Sequence, residues 1–153
     1  MSLNIVLVHP QLPNNTGNIG RLCVATNSTL HLVDPLGFEL TDKKVKRAGL
    51  DYWPHLTYRR YQSFEAFEQA KGGENLVFFS SNVERPYWDY GYQENDFLVF
   101  GCEESGLPAD IIEANQERCL TIPLYNNKVR SLNLANSVAI VLFEAMRQAN
   151  IQI

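Results

Sequence analysis

Three segments of the sequence combine glycines with neutral amide side chains, a composition suited to binding a small polar ligand. They are residues 14–21 (NNTGNIGR), 101–106 (GCEESG) and 123–133 (PLYNNKVRSLN). Glycine lets a backbone approach a ligand closely, and the free N–H groups at a helix start bind polar groups. Each segment also has a plainer interpretation, because glycines make ordinary turns and Asn133 is suited to cap an ordinary core helix.

Alternating strands and helices place these segments in an α/β fold. Short apolar runs predict strands at residues 4–8, 30–33, 56–61, 76–80, 97–100 and 119–122. Capping residues and apolar spacing predict helices at about 18–27, 41–49, 63–70 and 108–114, and another after Ser131 or Asn133. We therefore expect one domain, residues 1–153, with a mostly parallel sheet flanked by helices on both faces. Ligands bind such sheets at the carboxyl ends of the strands, where the three segments fall.

Composition excludes several classes of protein. A chain of 153 residues that is 45% hydrophobic and 20% charged is ordinary for a globular domain, and no apolar run is long enough to span a membrane. Three widely separated cysteines favour free thiols in a reducing compartment, so we expect a cytoplasmic protein. The three histidines have no ligand spacing, which predicts no metal site.

Positive charge is concentrated although the net charge is −4. Lys43, Lys44, Lys46 and Arg47 form a cluster that could contact nucleic-acid phosphates or could be a solvated helix face. Shortly after it, Tyr52 and Trp53 could stack on an unpaired RNA base. Alternatively, Trp53 packs under the loop that follows it.

Five ordered motifs carry a resemblance that covers nearly the whole chain. They are residues 13–23 (PNNTGNIGRLC), 34–38 (DPLGF), 46–52 (KRAGLDY), 100–108 (FGCEESGLP) and 122–139 (IPLYNNKVRSLNLANSVA). With these motifs the sequence resembles the SPOUT superfamily of S-adenosylmethionine-dependent RNA methyltransferases. Within it, the chain is similar to the tRNA 2′-O-methyltransferases that modify the ribose of the wobble nucleotide.

The resemblance implies a fold, a cofactor and a set of site residues. It implies a C-terminal deep trefoil knot, and a homodimer that binds tRNA near residues of both protomers. It assigns catalytic positions to Arg21, Asn15 and Glu103. The implied S-adenosylmethionine pocket contains Phe79, Gly101, Ile122, Leu124, Ser131, Leu132 and Asn133. For the RNA itself, the charge and aromatic character of the residues lead us to expect contacts from Lys46, Arg47, Tyr52 and Arg130.

The expected reaction is methyl transfer to a ribose hydroxyl, in which Arg21 orients the hydroxyl and the adjacent phosphate. A guanidinium is protonated throughout the accessible pH range, so orientation suits it better than proton abstraction. Two alternatives stay open: methylation of another tRNA or ribosomal RNA ribose, and a non-catalytic knotted RNA-binding module. A nicotinamide-dependent oxidoreductase is disfavoured, because residues 17–20 do not have the G-x-G-x-x-G spacing.

Overall fold

The computed structural model describes residues 2–41 and 51–152, and within them six strands form one sheet in which every pairing is parallel. The order across the sheet is β3-β2-β1-β5-β4-β6. The strands are β1 (Asn4–Val8), β2 (Thr29–Val33), β3 (Tyr58–Tyr61), β4 (Leu76–Phe79), β5 (Phe97–Phe100) and β6 (Cys119–Leu120). The prediction of a parallel sheet is confirmed.

Helices cover both faces of the sheet. They are α1 (Pro13–Ala25), α2 (Phe64–Lys71), α3 (Ala109–Ala114) and α4 (Leu134–Gln148), with short 3-10 turns at Trp53–His55 and Gln116–Arg118. Side chains of a strand alternate between faces, so Ile5 and Leu7 join the core under α1 and α4. Val6 and Val8 join a second core under α2 and α3. Two hydrophobic cores therefore hold the helices against the sheet, and the loops lie at its carboxyl edge.

The start of α1 differs from the sequence-based prediction. The helix begins at Pro13, whereas a start at Asn18 was expected, so residues 14–21 are helical and do not form a loop. Proline is favoured at the first helical position because its φ is already helical and its missing N–H is not needed there. Gly20 consequently makes no turn; it faces the Trp53 ring, which a Cβ on Gly20 would approach to 3.1 Å.

Two other predicted elements are the last strand and the helix at residues 41–49. The last strand ends at Leu120, earlier than the predicted Ile122, and Thr121 instead forms an isolated bridge with Pro86. The predicted helix at 41–49 lies outside the described residues, as do Lys43, Lys44, Lys46 and Arg47. No helix in residues 2–41 and 51–152 is long and apolar enough to cross a membrane.

Candidate active site

A cavity of roughly 380 Å³ opens at the carboxyl edge of the sheet, where β4, β5 and β6 end. Its walls come from the turn after β4, the loop after β5 and the long loop between β6 and α4. Six residues predicted to bind the cofactor line it: Phe79, Gly101, Ile122, Leu124, Ser131 and Leu132. Parallel strands bring these distant segments together, because all their carboxyl ends meet at one edge.

The loop after β5 needs glycine at both ends. Cys102 and Gly106 exchange backbone hydrogen bonds of 3.2 and 3.0 Å, so the loop folds back on itself. Gly106 has a φ of +72°, in the left-handed region. A Cβ on Gly101 would lie 2.0 Å from the Gly106 carbonyl carbon and from the Leu107 nitrogen. Gly101 is therefore required by the loop's own backbone, a different reason from the ligand approach expected from the sequence.

Glu103 connects this loop to the start of α1. Its two carboxylate oxygens accept the backbone N–H groups of Gln11 and Leu12, each at 2.8 Å. One oxygen also accepts a hydrogen bond from the Asn15 Nδ2 at 3.3 Å. In return, the Gln11 Oε1 accepts the Glu104 N–H at 3.2 Å. Leu12 has no side chain that could cap α1, so Glu103 supplies a carboxylate at the positive end of that helix.

Asn133 extends the same network to the third segment. Its Oδ1 accepts the Asn136 N–H at 3.2 Å and so caps α4. Its Nδ2 donates to the Asn15 Oδ1 at 3.1 Å. Asn133 therefore lies beside the cavity, and the predicted residues Asn15, Glu103 and Asn133 form one continuous chain of hydrogen bonds. That chain fixes the loops after β1, β5 and β6 relative to one another.

Arg21 lies elsewhere on α1. It follows Asn15 by six residues, which places it about 9 Å further along the helix axis. Its side chain is exposed and does not line the cavity of its own chain. Its guanidinium carbon lies 6.0 Å from the centre of the Tyr52 ring.

The predicted stacking of Tyr52 on an RNA base is not supported by its position. Tyr52 is only 9% exposed, and its hydroxyl donates to the Gly17 carbonyl. Its ring packs against Val24, Leu40 and Trp53, so no open face remains for a base. Trp53 itself is half-buried, and its ring lies against Gly20 of α1, a partner that neither interpretation of the sequence named.

Among the other residues predicted to contact RNA, Arg130 is exposed at the cavity, and Lys46 and Arg47 are outside the described residues. Sequence reasoning did not select residues 80–82, which line the cavity, or Gln11, which donates to Glu103. Residues 80–82 lie at the carboxyl end of the strand predicted at residues 76–80, so the rule on carboxyl ends could have identified them. No sequence pattern indicated a role for Gln11. In residues 2–41 and 51–152 no cluster of His, Cys, Asp and Glu could hold a metal ion.

The sequence pattern that defines the SpoU rRNA Methylase family matches residues 2–143. The chain belongs to this family. The resemblance stated from the motifs is thereby confirmed. A relative from Burkholderia ambifaria, named tRNA (cytidine(34)-2′-O)-methyltransferase, is 42% identical over 153 residues, covering 97% of this chain and 97% of that protein.

Solved structures share the fold of this chain. One, concerning the 2-OH methylation of C/U34 on tRNA, has a TM-score of 0.91 and 41% identity, and covers 99% of this chain and 98% of that chain. The SpoU methyltransferase AviRb from Streptomyces viridochromogenes, in complex with the cofactor AdoMet, has a TM-score of 0.82 at 22% identity. It covers 99% of this chain and 59% of that chain, and it supports the fold.

Proposed function

We propose that the protein transfers a methyl group from S-adenosylmethionine to the ribose 2′-hydroxyl of the wobble nucleotide of tRNA, a cytidine or modified uridine at position 34. The observation that carries this proposal is the cavity at the carboxyl edge, where the Glu103–Asn15–Asn133 network holds the loops after β5 and β6 against the start of α1. The activity named for the Burkholderia relative, at 42% identity over nearly all of both chains, supports the same reaction and substrate.

The chemistry of the cavity fits the cofactor. Ile122, Leu124 and Leu132 offer apolar contacts suited to an adenine ring. Glu103 and Glu104 are acidic neighbours suited to a sulfonium cation, and Arg130 is the one basic residue among the described lining residues. S-adenosylmethionine would supply the electrophilic methyl carbon, so the protein's own part is to position groups and manage charge.

Arg21 would orient the ribose hydroxyl and the neighbouring phosphate. Because Arg21 is exposed and outside the cavity of its own chain, we propose that the protein is a homodimer in which Arg21 serves the partner's cavity.

We also propose that the C-terminal segment forms the implied trefoil knot. From β6 at the sheet edge the chain returns to the centre, where α4 packs against α1 and β5. This return is compatible with passage of the C-terminal segment through a loop of the earlier chain. The free cysteines Cys23, Cys102 and Cys119 suit a cytoplasmic location.

Nucleoside mass spectrometry of tRNA tests the reaction. Purified protein and S-adenosylmethionine are incubated with tRNA, and with a matched tRNA already 2′-O-methylated at position 34. We expect methylation of the first RNA only. Methylation at another ribose would support the alternative substrate. Cofactor and RNA binding without any methylated product would support a non-catalytic RNA-binding module.

A mixing experiment tests the proposed dimer. Arg21→Ala removes the guanidinium, and Ile122→Trp fills the cavity, so each variant alone should be inactive. If Arg21 serves the partner's cavity, mixed dimers contain one complete site and regain activity. If Arg21 serves its own cavity, mixed dimers contain no complete site, and activity stays absent.

A further inference from the structure

The surroundings of Tyr52 indicate a role that differs from base stacking. Its hydroxyl donates to the Gly17 carbonyl in the first half of α1. A helical N–H bonds to the carbonyl four residues earlier, so this carbonyl is also the partner expected for the backbone N–H of Arg21. Tyr52 is therefore attached to the turn of helix from which the Arg21 side chain emerges.

The Tyr52 ring also faces the Arg21 guanidinium, 6.0 Å from its centre. Among residues 2–41 and 51–152, Arg21 has no carboxylate partner, whereas Arg60, Arg85 and Arg147 each pair with an acidic residue. An aromatic face attracts a guanidinium without occupying its N–H donors. A carboxylate would occupy those donors and neutralise the charge. The aromatic arrangement therefore holds the guanidinium in place and still leaves its donors free for a ribose and a phosphate.

The phenol stays neutral at physiological pH. Burial raises the pKa of Tyr52 to about 12, partly opposed by a hydrogen bond from the backbone of Arg21 and by the charge of its guanidinium. A protonated hydroxyl can donate to the Gly17 carbonyl. It also leaves the positive charge of Arg21 uncompensated.

We propose that Tyr52 is a positioning residue for Arg21, its hydroxyl fixing the ring on α1 and its ring face holding the guanidinium with the donors free. This inference rests on the role of Arg21 in the proposed function. It predicts that Tyr52 affects the rate of methyl transfer through Arg21 and does not affect cofactor binding.

The test compares two buried tyrosines that make the same kind of hydrogen bond. Tyr92 is 4% exposed, and its hydroxyl donates to the Tyr87 carbonyl at 2.6 Å. Tyr52→Phe and Tyr92→Phe therefore each remove one buried hydroxyl–carbonyl bond, and thermal unfolding should show similar losses of stability. Single-turnover methyl transfer should fall about fivefold in Tyr52→Phe, the size of one lost hydrogen bond, and stay unchanged in Tyr92→Phe.

Tyr52→Leu removes the ring as well, and the single-turnover rate should fall about 20-fold. Calorimetry should find S-adenosylmethionine affinity within about twofold of the wild-type value in every variant, since a twofold change is well below one hydrogen bond. In an Arg21→Lys background, Tyr52→Phe should lower the single-turnover rate by less than about twofold, because the effects of two residues that act together are not additive.

The outcomes separate this inference from the function on which it rests. No methyl transfer to tRNA by the wild-type protein would overturn both. An active wild-type protein with Tyr52→Leu at the full rate would overturn the inference alone. So would equal rate losses in Tyr52→Phe and Tyr92→Phe, or an undiminished cost of Tyr52→Phe in the Arg21→Lys background.

Discussion

The two ends of the sheet are held by the same kind of polar network. At the carboxyl end, Glu103 accepts two backbone N–H groups and the Asn15 amide. At the amino end, Asp96 accepts the Asn75 Nδ2 at 2.7 Å and the Gln93 N–H at 2.8 Å. In each case a carboxylate accepts hydrogen bonds from a segment distant in the chain and fixes its own loop relative to that segment.

The difference lies in what surrounds each carboxylate. Asp96 is 2% exposed, and burial raises the pKa of its carboxyl group. Glu103 is only half-buried and forms part of the cavity wall. The cavity is kept open because residues 101–106 fold back on themselves and do not fill it. At both ends of the sheet a carboxylate network therefore makes the loops rigid. At the carboxyl end, the open cavity beside that network provides a binding site.

Gly101→Ala should have the largest effect at the carboxyl end. The added Cβ would overlap backbone atoms of Gly106 and Leu107, which cannot move aside as a flexible side chain could. We expect the free energy of unfolding to fall by at least about 3 kcal/mol and cofactor binding to be lost. Gly73→Ala is the matched control, since a Cβ there meets nothing within 4 Å. Normal cofactor binding by Gly101→Ala would contradict the view that this loop keeps the cavity open.

Acid should destabilise the protein through His31, in the middle of β2, which is linked to Asn4 at the amino end of the sheet. The buried His31 ring is hydrogen-bonded to Asn4 and Tyr61. Burial, followed by the charges of Lys71 and Arg59, lowers the pKa of His31 from 6.5 to about 4. Between these values the unfolded chain binds more protons than the folded one. Stability is therefore complete above pH 6.5 and falls by about 3 kcal/mol as the pH drops to 4.

Denaturant unfolding at several pH values measures this dependence. His31→Gln should remove most of the slope between pH 6.5 and 4. His55→Gln, at an exposed histidine of the first 3-10 turn, is the control and should keep the slope. An unchanged slope in His31→Gln would assign the acid sensitivity to another group.

Asp96→Ala and Glu103→Ala should separate rigidity from binding. Asp96→Ala leaves the Gln93 N–H and the Asn75 amide without their buried acceptor, and unfolding should become easier by about 2 kcal/mol. Its cofactor affinity, measured by calorimetry, should stay normal. Glu103→Ala frees the backbone donors of the half-buried Gln11 and the exposed Leu12, which water can reach, so it should cost less stability and at least about tenfold in cofactor affinity. The reverse pattern would refute the distinction drawn between the two ends.

The strands were predictable because their signals are local. Residues 97–100 are all apolar and are bounded by Asp96 and Gly101, and β5 has these bounds in the structure. The start of α1 was harder to predict, because Asn, Thr and Gly are weak helix formers. The carboxylate that stabilises this start comes from Glu103, far along the chain. Pro13 was the one local signal for that start.

The candidate site was predictable as a set of residues but not as an arrangement. The motifs selected Asn15, Glu103 and Asn133, and the structure joins them. The burial of Tyr52 depends on how the chain between β2 and β3 lies across α1, and no pattern within the segment records this. An aromatic residue beside a basic cluster has the same local signal whether its ring faces solvent or a helix.

Asn133→Ser should have the smallest effect and tests the link between the network and the cavity. Serine can still accept the Asn136 N–H and cap α4, so the free energy of unfolding should change by less than about 0.5 kcal/mol. Serine cannot replace the amide donor to Asn15, so cofactor affinity should fall about fivefold. Ser63→Ala, at the cap of α2, should do the opposite: about 1 kcal/mol less stability with unchanged affinity. If Asn133→Ser binds the cofactor normally, the Asn15–Asn133 bond contributes rigidity alone, as at the amino end.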